Sequence, residues 1–263
     1  MSFRERDGLR YFVFEGLEAQ AGLVHAIFTR QGGVSPKPWA SLNVGGSVGD
    51  ERERVRQNRE RCFRSVGRPV ESVTDLWQIH SDQVILAAEP RRGGSTPIEG
   101  DALISRHPGL TLFMRFGDCV PVLLYDPRAQ AVGLVHAGWK GSLLRVARKT
   151  VERMQEAFAT RPRDVMAGIG PAVAPDHYPV GEEVVEGVRQ AFGEEADQLL
   201  PDLEGQTRFD LGLANELALR EAGVEAIERA ALCTACHVDD WYSHRAENGC
   251  TGRFGALVAL RQG

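Results

Sequence analysis

Short β-branched apolar runs dominate this chain, and they do not alternate strictly with stretches of helical period. Runs at residues 22–29, 73–79, 83–87, 101–105, 110–115, 121–125, 131–136, 165–169, 228–233 and 254–260 predict strands. Amphipathic periodicity predicts helices over 51–66, 142–158, 182–192 and 211–221. Asp50, Gly181 and Asp210 stand where an N-cap is wanted, and Gly193 and Gly223 where helices should stop. Strict alternation would build a doubly wound parallel sheet. Many strands with few helices predict instead an α+β fold, a mixed-sheet sandwich. The 263 residues are 43% hydrophobic, ample for a core, and no repeat or low-complexity linker divides them. Residues 1–263 therefore read as a single domain.

The chain carries 31 Lys and Arg against 36 Asp and Glu, a net charge of −5. That balance provides no general attraction to nucleic acid or to an anionic membrane surface. The first residues are too charged for a secretory leader, and no apolar run reaches membrane-crossing length. Five cysteines, an odd number spread along the chain, do not form a secreted disulfide framework. Reduced thiols in a cytoplasmic protein are the expectation.

Two helices separate by the company their apolar residues keep. In 142–158 a stripe of Leu143, Ala147, Val151, Met154 and Phe158 leaves Arg145, Arg148, Lys149 and Arg153 on a solvated face. In 51–66 the face of Val55, Cys62, Phe63 and Val66 also contains Asn58 and Arg59. An inward arginine must be paired, because it cannot shed its charge. It reads either as a structural salt bridge or as one wall of an anion site.

His80, Cys119 and His136 each sit beside a strand end or tight turn, where functional groups collect. Pro121, just after Cys119, suggests a break in regular structure. Singly, these residues read as hydrogen-bonded histidines and a buried thiol. Together, one thiolate and two imidazoles suit Zn²⁺ or copper and leave a coordination position open. Cys233-Thr234-Ala235-Cys236-His237 has the C-x-x-C-H form of a haem attachment site, but no export signal accompanies it. With His244 and Cys250 it could build a structural zinc site; plain reduced thiols are the simpler reading.

Ordered matches then run along nearly the whole chain. They include Phe28-Thr29-Arg30-Gln31-Gly32-Gly33, Ser41-Leu42-Asn43, Asn58-Arg59, Gln78-Ile79-His80, Gly100-Asp101-Ala102-Leu103 and Asp118-Cys119-Val120-Pro121. His136-Ala137-Gly138-Trp139-Lys140-Gly141, Gly168-Ile169-Gly170-Pro171, Cys233-Thr234, Ser243-His244-Arg245 and Thr251-Gly252-Arg253 continue the series. In these the chain resembles the laccase-domain, multicopper polyphenol oxidase-like proteins regarded as purine nucleoside phosphorylases. Gly117, Lys140, His244 and Trp241-Tyr242 depart from the residues usual in that family.

The resemblance implies an α/β/β/α sandwich, with His80, Cys119 and His136 as catalytic metal ligands. It places substrate or phosphate on Asn43 and Arg59, and so favours the anion-site reading of Arg59. It implies Zn²⁺, with copper possible at the same site, and purine nucleosides and phosphate as partners. The implied reactions are phosphorolysis of adenosine, inosine, guanosine and methylthioadenosine, together with adenosine deamination, for which Asp118 is a candidate proton carrier. A metal-free Cys119–His136 hydrolase and a non-enzymatic factor in cell-wall precursor quality control are the alternatives. A multicopper oxidase needs more histidines than the seven present.

Overall fold

The computed structural model describes residues 2–91, 96 and 98–261; the other positions of the expected 1–263 domain lie outside the described residues. In chain order the strands are β1 (Ser2–Arg6), β2 (Leu9–Val13), β3 (Leu23–Phe28), β4 (Val73–Thr74), β5 (Val84–Leu86), β6 (Ala102–Ser105) and β7 (Thr111–Phe116). They continue with β8 (Val120–Asp126), β9 (Ala131–Ala137), β10 (Met166–Ile169), β11 (Asp202–Leu203), β12 (Gln206–Thr207), β13 (Ala226–Arg229) and β14 (Phe254–Leu260). The helices are α1 (Glu15–Glu18), α2 (Arg52–Ser65), α3 (Trp139–Leu143), α4 (Val146–Phe158), α5 (Glu182–Phe192), α6 (Ala196–Leu199) and α7 (Leu211–Glu221).

Two six-stranded sheets form, in the orders β1-β2-β3-β14-β7-β4 and β13-β10-β8-β9-β6-β5. Their central strands are buried on both faces, which is why they read as continuous apolar runs. Alternate residues of each strand serve different layers. Leu123, Tyr125, Val132 and Leu134 join Leu112, Met114, Phe116, Ala256 and Val258 between the sheets. Val120, Val122, Leu124 and Val135 face outward against Val151 and Met154 of α4, Val188 of α5 and Ala214 of α7. Phe113 and Leu257, on the outer face of the first sheet, pack on Cys62 and Phe63 of α2. The result is the expected α/β/β/α sandwich.

Several local expectations change. The 142–158 helix is two helices, because Arg145 takes the left-handed conformation (φ 58°) between α3 and α4. Its basic residues are a face of ion pairs: Arg145 and Arg148 reach Glu221, Lys149 reaches Asp82, and Arg153 reaches Glu156. Pro121 does not break the structure. It lies inside β8 opposite His136 and needs only its carbonyl, which accepts from Gly170 N. The 73–79 strand ends at Thr74, since the Gln78 side chain takes over the pairing: its Nε2 donates to Arg115 O and its Oε1 accepts from Arg115 N. Asp50 sits one residue before the N-cap of α2 and accepts from Glu51 N at 2.8 Å. Asp210 caps α7 through Leu213 N, and Gly223 (φ +90°) ends it as expected. The β1–β2 hairpin was not foreseen; its exposed, charge-rich first strand hides the alternation.

Candidate metal centre

Strand register assembles the centre. β8 and β9 pair antiparallel with Val120 opposite Ala137, so the residues just outside and just inside those positions, Cys119 and His136, meet at one end of the second sheet. β6 lies on the other side of β9, with Ala102 opposite Val135, which brings Asp101 beside His136. The loop between β4 and β5 delivers His80. Ligand atoms of His80, Cys119 and His136 all lie within 4.8 Å of one another, and Cys119 Sγ is 3.9 Å from His80 Nε2. His136 is buried, Cys119 half-buried and His80 exposed, so the trio opens toward solvent on the His80 side.

The imidazole of His136 is oriented from behind. Its Nδ1–H donates to Asp101 Oδ1 at 2.8 Å, which leaves the Nε2 lone pair for the centre. Asp101 Oδ2 accepts from Ile79 N (3.2 Å), Ser81 N (2.6 Å) and Ser81 Oγ (2.8 Å), the residues flanking His80. One carboxylate therefore fixes both histidines. His80 (φ 60°) and Asp118 (φ 80°) hold left-handed conformations, each costing about 1–2 kcal/mol, a strain tolerated where it aims a functional side chain. Gly138 completes the wall. A Cβ there would lie 2.9 Å from His80 Cδ2 and 3.0 Å from Cys119 Sγ.

Burial pushes the Cys119 thiol up, but the charge and hydrogen bonds of His136 and His80 outweigh it and bring it down to about 6. Burial pulls His136 down, while Cys119 and Asp101 raise it to about 9. Burial would also raise Asp101; its bonds to His136 and Ser81 hold it below the usual carboxylate range. At neutral pH Cys119 and His136 are thus poised as thiolate and imidazolium; a cation that displaces the His136 Nε2 proton would meet a thiolate and two imidazoles, a donor set that fits Zn²⁺ or copper. Three protein donors leave a fourth position for water or substrate.

The trio lies in a cavity of about 810 Å³ whose other wall is basic. Arg59, Arg91 and Arg115 converge there on one carboxylate, Asp75. Arg91 Nε donates to Oδ1; Arg115 NH1 donates to Oδ2 at 2.8 Å, and Arg59 NH1 stands 3.6 Å from the same oxygen. Arg59 Nε donates to Val44 O at 2.9 Å. Burial, then the neighbouring charge of Arg115, lowers Arg59 to about 10. Three guanidinium groups against one carboxylate leave a surplus of positive charge: Arg59 is paired, and its partner Asp75 is shared with Arg91 and Arg115.

The remaining expected residues fall as follows. Asn43 is fully buried behind the cavity wall. Its Oδ1 accepts from Gly45 N and Arg253 N, and its Nδ2 donates to Gly45 O and Asp50 Oδ2, so it shapes the wall from outside. Asp118 lines the cavity, yet both carboxylate oxygens are engaged, by Thr234 Oγ1 and Arg245 N, each at 2.6 Å. Asp75, Arg91, Arg115 and Tyr178 also line the cavity, and none stands in a sequence pattern that marks it as a site residue. The only sequence signal for Arg115 was its place at a strand end, just before Asp118-Cys119. Burial, then the charge of Cys119, pushes the Tyr178 hydroxyl up to about 12. Among the described residues the other close group of metal-grade donors is Asp176, His177, Cys233 and Cys236; His244 and Cys250 belong to neither.

Comparison with known proteins agrees with this architecture. The multi-copper polyphenol oxidoreductase laccase family matches residues 24–261. A protein of Deinococcus radiodurans named purine nucleoside phosphorylase is 38% identical over 237 residues, 90% of this chain and 88% of that protein. Purine nucleoside phosphorylase YlmD of Geobacillus stearothermophilus is 36% identical, over 92% of each chain. The crystal structure of that YlmD superposes with a TM-score of 0.91, covering 99% of both chains. The Bacillus licheniformis hypothetical protein YfiH, 30% identical, also superposes at 0.91, over 98% of this chain and 99% of its own. No described helix is long and apolar enough to cross a membrane. The chain belongs to the multi-copper polyphenol oxidoreductase laccase family.

Proposed function

We propose that this chain is a zinc-dependent purine nucleoside phosphorylase for adenosine, inosine, guanosine and methylthioadenosine, and that the same cavity deaminates adenosine. The observation that carries the reading is one cavity holding both a His–Cys–His donor trio and guanidinium groups in excess over their carboxylate. The names of the D. radiodurans and G. stearothermophilus relatives support it. Free thiols at Cys62, Cys119, Cys233, Cys236 and Cys250 suit a reducing cytoplasm.

Phosphate is a multiply charged anion that guanidinium forks bind bidentately. Arg59, Arg91 and Arg115 hold it for attack on ribose C1′ as the bond to the purine breaks. Asp75 keeps the three forks in place beforehand, which lowers the ordering cost of binding. A cation at His80, Cys119 and His136 supplies Lewis acidity. Asp101 keeps His136 in the tautomer that presents Nε2 to the cavity. Tyr178, protonated across the working pH range, offers a hydroxyl donor. Asn43 and Asp118 hold the wall and the Cys119 turn.

A second reading draws on the Cys119–His136–Asp101 chain, in which a low thiol pKa beside an oriented imidazole suits nucleophilic hydrolysis without metal. Incubating zinc-loaded protein with adenosine, with and without phosphate, separates the two. The proposal expects adenine formed only with phosphate, inosine formed without it, and both lost on chelation. Chelator-resistant turnover abolished by alkylating Cys119 would favour the hydrolase.

A further inference from the structure

The Cys233–Cys236 pair takes no part in the cavity, yet the fold gives it partners. Cys233 forms an isolated parallel bridge with Ala172; Ala172 N donates to Leu232 O and Thr234 N to Ala172 O. This lays the chain after β13 along the loop that leaves β10. That loop then turns through a 3₁₀ segment, Pro175–His177, and turns Asp176 and His177 toward the two thiols. Candidate ligand atoms of Asp176, His177, Cys233 and Cys236 all lie within 4.8 Å of one another.

Three of the separations are close to those around a tetrahedral ion. His177 Nδ1 is 3.5 Å from Cys236 Sγ and 3.9 Å from Cys233 Sγ, and Asp176 Oδ2 is 3.6 Å from Cys236 Sγ. Zinc bonds of about 2.3 Å to sulfur and about 2.0–2.1 Å to nitrogen or oxygen, at tetrahedral angles, place such donors about 3.6 Å apart. Ala174 N–H also points at Cys233 Sγ at 3.4 Å, a backbone donor that steadies a thiolate ligand. The sequence favours plain reduced thiols here and offers His244 and Cys250 as the alternative partners; Asp176 and His177 are the residues that stand beside the pair.

We infer that Asp176, His177, Cys233 and Cys236 form a second metal site, for Zn²⁺ or a similar borderline-soft divalent cation. Its four protein donors close the coordination sphere, in contrast to the open trio, so its role is structural. The ion clips the loop after β10 to the loop after β13. Both loops brace the Cys119 turn: Val173 N donates to Asp118 O at 3.0 Å, and Thr234 Oγ1 donates to Asp118 Oδ1 at 2.6 Å.

The test is metal content of the full chain, purified under reducing conditions, dialysed against Zn²⁺ and then against metal-free buffer. The wild type is expected to retain about two equivalents, Cys119→Ala about one, Cys236→Ala about one, and the double variant none. Metal kept by Cys236→Ala at the His80–Cys119–His136 centre shows that this variant is folded. His177→Ala, at a half-exposed position, should repeat the loss. Zinc should also raise the melting temperature of Cys119→Ala but not that of the double variant. A wild-type content of one equivalent, unchanged by Cys236→Ala and His177→Ala, would overturn the inference. So would a mass two hydrogens short that maps to a Cys233–Cys236 disulfide in the same reduced preparation.

Discussion

The carboxylate of Asp101 accepts from His136 Nδ1 at 2.8 Å with one oxygen, while its other oxygen holds Ser81 N and Ser81 Oγ beside His80. Two histidines from distant parts of the chain thus share one buried anchor, itself set next to β9 by strand register. Loss of that anchor should disturb both histidines at once.

Asp101→Asn keeps the shape but removes the charge that steadies the His136 N–H. Loss of such an outer partner typically costs about 10–100-fold in metal affinity. Competition against a calibrated chelator measures it. An affinity within twofold of wild type would show that the Asp101 bond is not what orients the ligand.

Gly138→Ala should expel the metal while leaving the fold intact. Its φ of −77° suits alanine, so the cost is steric and local: the new methyl meets His80 Cδ2 at 2.9 Å and Cys119 Sγ at 3.0 Å. The expected result is loss of about one equivalent of zinc with a normal far-UV spectrum. Retained zinc at that centre would contradict the packing argument.

Arg59→Met should separate the two proposed reactions. Removing one charge-assisted contact to phosphate costs about 1.5–3 kcal/mol, so the phosphate KM of phosphorolysis should rise about 10–100-fold. Deamination, which consumes no phosphate, should change far less. Equal losses in both would place Arg59 elsewhere in the chemistry.

His25 predicts a pH effect remote from the centre. It is buried, its Nε2 accepts from Phe14 N at 2.9 Å, and burial lowers it to about 4. The folded state therefore holds neutral His25, while the unfolded chain protonates near 6.5. Its contribution is fully present above pH 6.5 and is lost as pH falls toward 4, a change of about 3 kcal/mol. Denaturation at pH 7 and pH 4.5 should show this difference shrinking in His25→Gln, where a neutral amide oxygen can accept the same bond.

Residue chemistry made part of this site legible. A cysteine and two histidines beside strand ends announce ligands, and Asn58 and Arg59 on an apolar helix face announce polar groups turned inward. Their meeting was not legible from spacing, because it depends on the β8–β9 register and on Asp101 reaching across from β6. Asp75, Arg91 and Arg115 were hidden for a related reason: each is an ordinary surface-type residue until the sandwich folds them onto one cavity wall. The 142–158 apolar stripe runs through Arg145 without a mark, since a left-handed residue leaves the flanking periodicity nearly unchanged. Likewise Asp176 and His177 join the C-x-x-C pair only through the bridge between Ala172 and Cys233.

Phosphorolysis in a cavity that needs both the donor trio and the arginine wall is the central claim. The direct measurement is product analysis for zinc-loaded wild type and Cys119→Ala supplied with inosine and phosphate. The account predicts hypoxanthine and ribose 1-phosphate in equal amounts from wild type, none when phosphate is omitted, and none from Cys119→Ala. Hypoxanthine released without phosphate, or undiminished in Cys119→Ala, would contradict it.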